Sequence, residues 1–293
     1  MMQLFMQQMI NGIALGSIYA LIALGYTMVY GTIKLINFAH GEVYMLGAFI
    51  GFYLVTALNI NIYLAMLIAM VCCAAIGILI ERVAYKPLRN STRVAALITA
   101  IGVSYFIQNT MAYKLGPEVR AFPAAMKTQV YRVAGIVINS KQLFVFITTI
   151  ILMIVLTLIV NKTKMGKAMR AVAVDAEAAQ LMGIDVDRVI SFTFALGSGL
   201  AGIAGVLVGV YYNSISPFMG VASGLKAFVA AVVGGIGSIP GAMVGGYLIG
   251  LLETLVTYLG WSTYKDAAVY ILLIIILLVL PAGLFGKNLK EKV

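Results

Sequence analysis

KTKMGKAMRAVAVDAEAAQLMGIDVDR, Lys162 to Arg188, is the longest charged interruption in the chain that also reads as a helix, and its place between apolar runs decides what those runs are. Val174, Ala178, Leu181 and Met182 fall at near-helical spacing for a single face. Asp175 stands as an N-cap with Glu177 in the first turn, and Gly183 sits where a C-terminal glycine stops a helix. A helix of about two turns is marginal in water, so packing against something else has to hold it. The pattern by itself also fits a solvated loop between membrane spans.

Composition settles the class of protein around that island. With 62% hydrophobic and 10% charged residues and a mean hydropathy of +1.04, a soluble domain of 293 residues is excluded. A spanning helix needs about 20 apolar residues, and the apolar runs here repeatedly reach or approach that length; a barrel would show short alternating segments. The expected fold is an all-α polytopic membrane protein in one domain over residues 1–293, with roughly 8 to 10 spans including discontinuous helices. The 20 Lys and Arg against 10 Asp and Glu give a net charge of +10. In this setting the excess reads as positive-inside topology, and no nucleic-acid partner is expected. Cys72 and Cys73 are adjacent in an apolar run, unsuited to an ordinary disulfide, and are expected to pack. No basic stretch precedes the first apolar run, which reads as a retained first span.

Taken in order, Leu4 to Ile33 is a glycine-studded span, with Gly12 and Gly16 spaced for close approach of another helix. A polar break at Lys34 to Glu42 precedes an apolar run to about Leu58, and another span covers Ile60 to Ile80. Arg82, Lys86, Arg89 and Arg93 then form a basic cluster expected in the cytoplasm. A span over Val94 to Tyr113 leads to a long polar segment ending at Lys141, external by parity although Lys114, Arg120, Lys127, Arg132 and Lys141 lie on it. Gln142 to Val160 returns to the cytoplasmic island. The next span is Val189 to Tyr211, whose crowded glycines are expected to serve packing, followed by an external Asn213 to Gly224. Lys226 to Leu259, roughly 51 Å as one helix, is too long for one simple span and too short for two full ones with a turn, so a discontinuous pair is expected. The last span, about Ala267 to Leu284, delivers Lys287, Lys290 and Lys292 to the cytoplasm. Counting back through three crossings before Arg82 places the N-terminus outside, unless the break at residues 34–42 is re-entrant.

Two breaks carry the candidate pathway. Gly234, Gly235, Gly237, Pro240 and Gly241 interrupt the second long segment, and such breaks are tolerated in a membrane where protein or a water-filled cavity satisfies the backbone. Asn37, His40, Gly41 and Glu42 form the other, with the chain's one histidine. Gly41, Gly47 and Gly51 share the spacing of Gly235, Gly241 and Gly245, as repeated transporter halves would, although 30 glycines make coincidence a competitor. Asn37, His40 and Glu42 either cap two half-helices or serve as ionisable pathway groups. Glu253 is expected to face the bundle interior with a partner, and Lys34 and Lys226 to snorkel. No phosphate-binding loop, metal-ligand spacing or catalytic set is present, so the chain is not expected to be an enzyme or to bind a cofactor or metal itself.

Glu177-Ala178-Ala179 followed by Gly183 resembles the EAA loop of ABC-importer permeases, here without the later Leu-Pro pair. The longer GKAMRAVAVDAEAAQLMGIDVDRVI, with NGIALGSIYALIALGYTMVYGTIKLINFAHGEVYMLGAF, IERVAYKPLR and GLKAFVAAVVGGIGSIPGAMVGG, is similar to the H-type permease of high-affinity branched-chain amino-acid ABC importers. The likeness covers nearly the whole chain and fades between Lys114 and Lys141. It implies that Asp175, Glu177, Ala178, Ala179, Gly183 and Ile184 belong to a cytoplasmic coupling helix. It also implies a heterodimer with a second related permease, two ATPase subunits that carry ATP and Mg, an external or periplasmic solute-binding protein, and a place in the lipid of the bacterial inner membrane. Leucine, isoleucine or valine would be the solute; urea, short amides or other amino acids are the alternatives within the family. An ion-coupled secondary transporter or channel is the alternative outside it.

Overall fold

A computed structural model describes residues 2–89, 91–124, 126–133 and 136–286. Lys287, Lys290 and Lys292 lie outside the described residues. The helices are α1 (Met2–Ile33), α2 (His40–Thr56), α3 (Ile62–Ile80), α4 (Arg93–Leu115), α5 (Ser140–Lys162), α6 (Lys164–Val174), α7 (Ala176–Leu181), α8 (Val186–Tyr212), α9 (Met219–Gly234), α10 (Ile239–Tyr258) and α11 (Lys265–Val279). Seven of the helical segments are long and apolar enough to cross a membrane. The shorter α2 and α9, 17 and 16 residues, each follow a non-helical stretch that enters the bundle. With these two added to the seven, nine helical segments run through the bundle among the described residues.

The connections show which ends lie together. Gln7 near the start of α1 exchanges hydrogen bonds with the backbone of Val137, at 2.8 and 2.9 Å, so the N-terminus sits beside the hairpin of β2 (Val130–Val133) and β3 (Ile136–Asn139). That hairpin, and β1 (Arg120–Ala121) paired with β4 (Ser214–Ile215), cap the end of the bundle opposite α6 and α7. The N-terminus therefore lies opposite the Lys162–Arg188 island, as three crossings before Arg82 require. None of the four strands was legible in the segment from Lys114 to Lys141 or after Asn213, because each is only two to four residues long.

Glycines set the packing at the centre. Gly12 and Gly16 of α1 lie against Leu251, Thr254 and Tyr247 of α10, and Gly250 of α10 returns the contact to Gly16. Gly202 of α8 meets Ala69 and Cys73 of α3 on one side and Gly47 of α2 on another, while Gly197 faces Gly25 of α1. At Gly16, Gly47, Gly202 and Gly250 a Cβ would strike backbone of the neighbouring helix, which is how helices associate where lipid supplies no hydrophobic drive between them. The α8 glycines thus serve packing, as expected. Cys73 is buried in this contact; Cys72 is exposed on the lateral face, so only one of the pair packs.

The contacts also reveal a repeat of opposite direction. α1 packs on α10 as α8 packs on α3; α2 lies along α8 as α9 lies along α1; and α2 and α9 meet at Gly41, Gly220 and Gly224. Thus α1–α2–α3 and α8–α9–α10 make equivalent contacts with opposite chain direction, the pattern of an inverted repeat such as many transporters carry. This corrects the glycine register read from the sequence. Gly41 is the second residue of α2, whereas Gly235 follows α9 in the turn, with φ +104°. The equivalent elements are α2 and α9.

The length problem at Lys226 to Leu259 resolves the same way. The pair is discontinuous at residues 235–238, but α9 starts at Met219, inside what had read as an external segment. Gly220 and Gly224 are buried against α2, so the part of Asn213 to Gly224 from Met219 onward lies within the bundle.

Candidate functional site: the coupling surface and the membrane breaks

The island folds as two helices rather than one. Thr163 caps α6 by accepting from Gly166 N at 3.0 Å, and α6 turns back on the end of α5, where Arg170 donates to the Val160 carbonyl. Gly166 packs on the carbonyls of Ile159 and Val160, where no side chain would fit. Met169 and Val172 are buried, and α6 contacts α1, α5 and α8, which anchors it to three spans. Sequence reading missed α6 because its charges masked an amphipathic face.

α7 follows at once. Asp175 accepts from Ala178 N at 2.9 Å as its N-cap, Ile184 N donates to Ala179 O at 3.0 Å, and Gly183 takes φ +83°, so both ends lie as expected. Ala179 points inward and is buried, while Glu177 and Ala178 are exposed, and Val174, Leu181 and Met182 are each more than 80% exposed. The apolar residues read as a single face project away from the protein. Capping, with packing through Ala179 and α6, holds this short helix, and an apolar tip is left without an intramolecular partner.

Asp175→Ala removes the cap and is expected to cost about 1 kcal/mol locally. Amide exchange over Ala176–Leu181 should quicken by roughly five-fold with membrane insertion unchanged. Unchanged exchange would show that the cap does not hold α7.

Beside this loop lies a charged cluster that sequence reading did not assemble. Glu81, fully buried at the end of α3 in a π-helical turn, accepts from Arg89 and from Ser191 Oγ of α8 at 2.7 Å. Arg89 also pairs with Asp187, whose other oxygen lies 2.6 Å from Lys86 Nζ. The cluster joins the end of α3 to the start of α8, immediately after α7. The residues are 98 and 110 positions apart in the chain, which is why only the local run of basic residues was visible.

The first break is arranged differently from a pair of side-chain caps. α2 begins after Ala39 with no side-chain cap. Asn37 accepts from Tyr85 OH at 3.0 Å through its side chain and from His40 N at 3.1 Å through its carbonyl. His40 is buried edge-on to Tyr26 at 4.8 Å, in the space left by Gly25, and neither ring nitrogen has a partner among the described residues. Glu42 is also buried; Ser104 Oγ lies 3.4 Å from its Oε1, and its Oε2 has no partner. Neither His40 nor Glu42 bonds the freed backbone of α2.

The second break packs at the end that carries α6 and α7. Gly234 and Gly241 lie against one another, Gly235 against Phe285 and Gly286, and Ser238 caps α10 by accepting from Gly241 N at 3.2 Å, with Pro240 in its first turn. Gly237, at φ +94°, lines a small cavity with Gly31, Met169 and Arg170, so the turn adjoins α6. Glu253 sits near the other end of α10, buried as expected, 2.8 Å from Lys226 Nζ and 3.2 Å from Tyr19 OH. Lys226 also lies 2.7 Å from Asp266. It is held in a buried pair rather than snorkelling freely, while Lys34 turns over the Tyr30 ring at 5.9 Å.

Two cavities enter the bundle from the sides of this core. One, of about 350 Å³, is lined by Tyr19, Tyr44, Tyr212, Ser214, Ser216 and Ser223 together with aliphatic residues. The other, of about 230 Å³, lies among Tyr26, Phe38, Ser104, Tyr105, Gly220 and Gly224.

This architecture meets close relatives along its whole length. A family described as branched-chain amino acid transport system / permease component matches residues 8–278. The high-affinity branched-chain amino acid transport system permease protein LivH of Escherichia coli K12 is 46% identical over 303 aligned residues, covering 99% of this chain and 98% of the relative. The corresponding permease protein BraD of Pseudomonas aeruginosa is 43% identical over 301, with the same coverage. Among solved structures, PsaBC from Streptococcus pneumoniae in complex with Fab superposes with a TM-score of 0.51 at 12% identity, covering 94% of this chain and 92% of that one, a likeness of fold. With the matched family spanning all but the ends of a multi-pass helical bundle, the chain belongs to the permease components of branched-chain amino acid transport systems.

Proposed function

We propose that this chain is the permease subunit of an ATP-driven importer that carries leucine, isoleucine or valine across the bacterial inner membrane. The observation that carries the reading is the coupling loop: an apolar tip on α7, turned outward, on an α6 anchored to α1, α5 and α8. Lys86, Arg89, Lys162, Lys164 and Lys167 lie at that end, which the positive-inside rule assigns to the cytoplasm. There α7 would dock on one of two ATPase subunits, which bind ATP and Mg and hydrolyse the nucleotide. A second, related permease completes the pathway, an external solute-binding protein delivers the amino acid, and lipid covers the remaining lateral faces.

Closure of the ATPase subunits would press on α7, and α6 would pass the movement to α1, α5 and the turn at residues 235–238. Rocking of one repeat against the other about the α2–α9 contact would then change which side the pathway opens to. Asn37, His40, Gly41, Glu42 and Glu253 are placed along that moving core, while Gly234 to Gly241 link it to α6.

Glu177→Lys reverses the charge on the exposed face of α7 without touching a buried contact. It is expected to weaken capture of the ATPase subunits by about ten-fold and to reduce uptake in parallel, with insertion of the permease unchanged. Normal capture together with normal uptake would refute the assignment of this loop.

A further inference from the structure

We propose that Glu42 and Ser104 form the receptor for the α-ammonium group of the transported amino acid. The inference rests on the permease reading and adds to it a recognition site within this chain. Its basis is a carboxylate that the fold leaves without a counter-charge. Glu42 is 1% exposed, no Lys, Arg or His nitrogen among the described residues lies in ion-pair range, Oε2 has no partner, and Oε1 has only the long 3.4 Å contact from Ser104. The other two buried glutamates show what the protein does when a carboxylate is structural: Glu81 has Arg89 and Ser191, and Glu253 has Lys226 and Tyr19. A charged group at membrane depth without such a partner is costly, and groups of this kind mark substrate pathways.

The surroundings fit a small amphipathic cation. Ser104 and Gly220, the two residues that flank the carboxylate, both line the cavity of about 230 Å³ between α4 and α9. A Cβ at Gly220 would come within 2.6 Å of Oε2, so only a glycine there lets α9 approach the carboxylate this closely, which sets Glu42 directly behind the cavity wall. Tyr26 and Phe38 offer ring surface to a cation, and Ile101, Val221 and Leu225 supply an aliphatic wall for a branched side chain. An ammonium group presents three donors, enough to engage the Ser104 hydroxyl and the carboxylate behind it. The position is the meeting point of α2 and α9, where the two inverted repeats touch, so occupancy would be felt by both halves.

The test uses the complete assembly in vesicles, with Val221→Cys as a reporter in a Cys72→Ser background and N-ethylmaleimide labelling followed on this chain by mass. Leucine and 3-methylbutylamine, which share the ammonium and the branched chain, should each slow labelling by at least about three-fold, whereas 4-methylpentanoate, which lacks the ammonium, should not. Glu42→Gln should abolish both protections and lower leucine uptake by about ten-fold, and Glu42→Asp should keep part of each. Protection by 4-methylpentanoate alone, protection by sodium equal to that by leucine, absence of protection by any compound, or wild-type uptake in Glu42→Gln would each overturn the proposal. The labelling needs no ATP, so a failure of ATP-driven uptake in the wild type would count against the permease reading, while protection decides the ammonium site.

Discussion

Lys226→Met is expected to lower the stability of the folded permease by about 3–5 kcal/mol, the range for removing one partner of a buried ion pair. Lys226 is 7% exposed and lies between Glu253, itself 3% exposed, and Asp266. Methionine fills a similar volume, so the change isolates the charge. Glu253 would be left in the bundle with only the Tyr19 hydroxyl, while Asp266, more than half exposed, can turn to water. Thermal unfolding in detergent should show a marked fall in midpoint, and adding Glu253→Gln should recover much of it because the stranded charge is gone. A Lys226→Met protein as stable as the wild type would contradict the structural account of this pair.

Arg89→Met is expected to be nearly as costly, about 3 kcal/mol, and to act at the end that carries α6 and α7. Its guanidinium serves both the buried Glu81 and the half-exposed Asp187, so its loss leaves Glu81 with Ser191 alone and weakens the tie between the end of α3 and the start of α8. That junction directly follows α7, the helix proposed to dock on the ATPase subunits. Uptake per folded molecule should therefore fall further than stability predicts, and Arg89→Lys, which keeps charge but not the two-pronged geometry, should fall between wild type and Arg89→Met. Equal uptake in Arg89→Met and wild type, at matched amounts of folded protein, would show that the cluster plays no part in transmission.

What could be read from the residues alone was what is determined locally. Asp175 and Gly183 mark their helix ends because a cap and a left-handed glycine act over three or four residues, and Gly12 with Gly16 signals close packing whatever the neighbour is. The spans were legible because a membrane demands length and hydrophobicity of each helix separately. Relations between distant segments were not. Glu81 needs Arg89 and a serine 110 residues away, and the equivalence of α2 with α9 is visible only once α1 is seen on α10 and α8 on α3. The start of α9 at Met219 was hidden because Gly220 and Gly224 resemble loop residues until Gly41 is found packed on them. Leu181 and Met182 were grouped on one face by helical spacing, which leaves open whether that face meets the same chain or another.

The central claim is that ATP bound by separate subunits, and not an ion gradient acting on this chain, drives the solute across. The measurement that tests it most directly is leucine uptake by the complete assembly reconstituted in vesicles, with ATP present or absent and the proton gradient intact or collapsed. The account predicts uptake that requires ATP, is indifferent to collapse of the gradient, and persists in part in His40→Gln, whose amide still offers a donor and an acceptor but does not titrate near neutral pH. Gradient-driven uptake in vesicles that lack the ATPase subunits, abolished by His40→Gln, would contradict it.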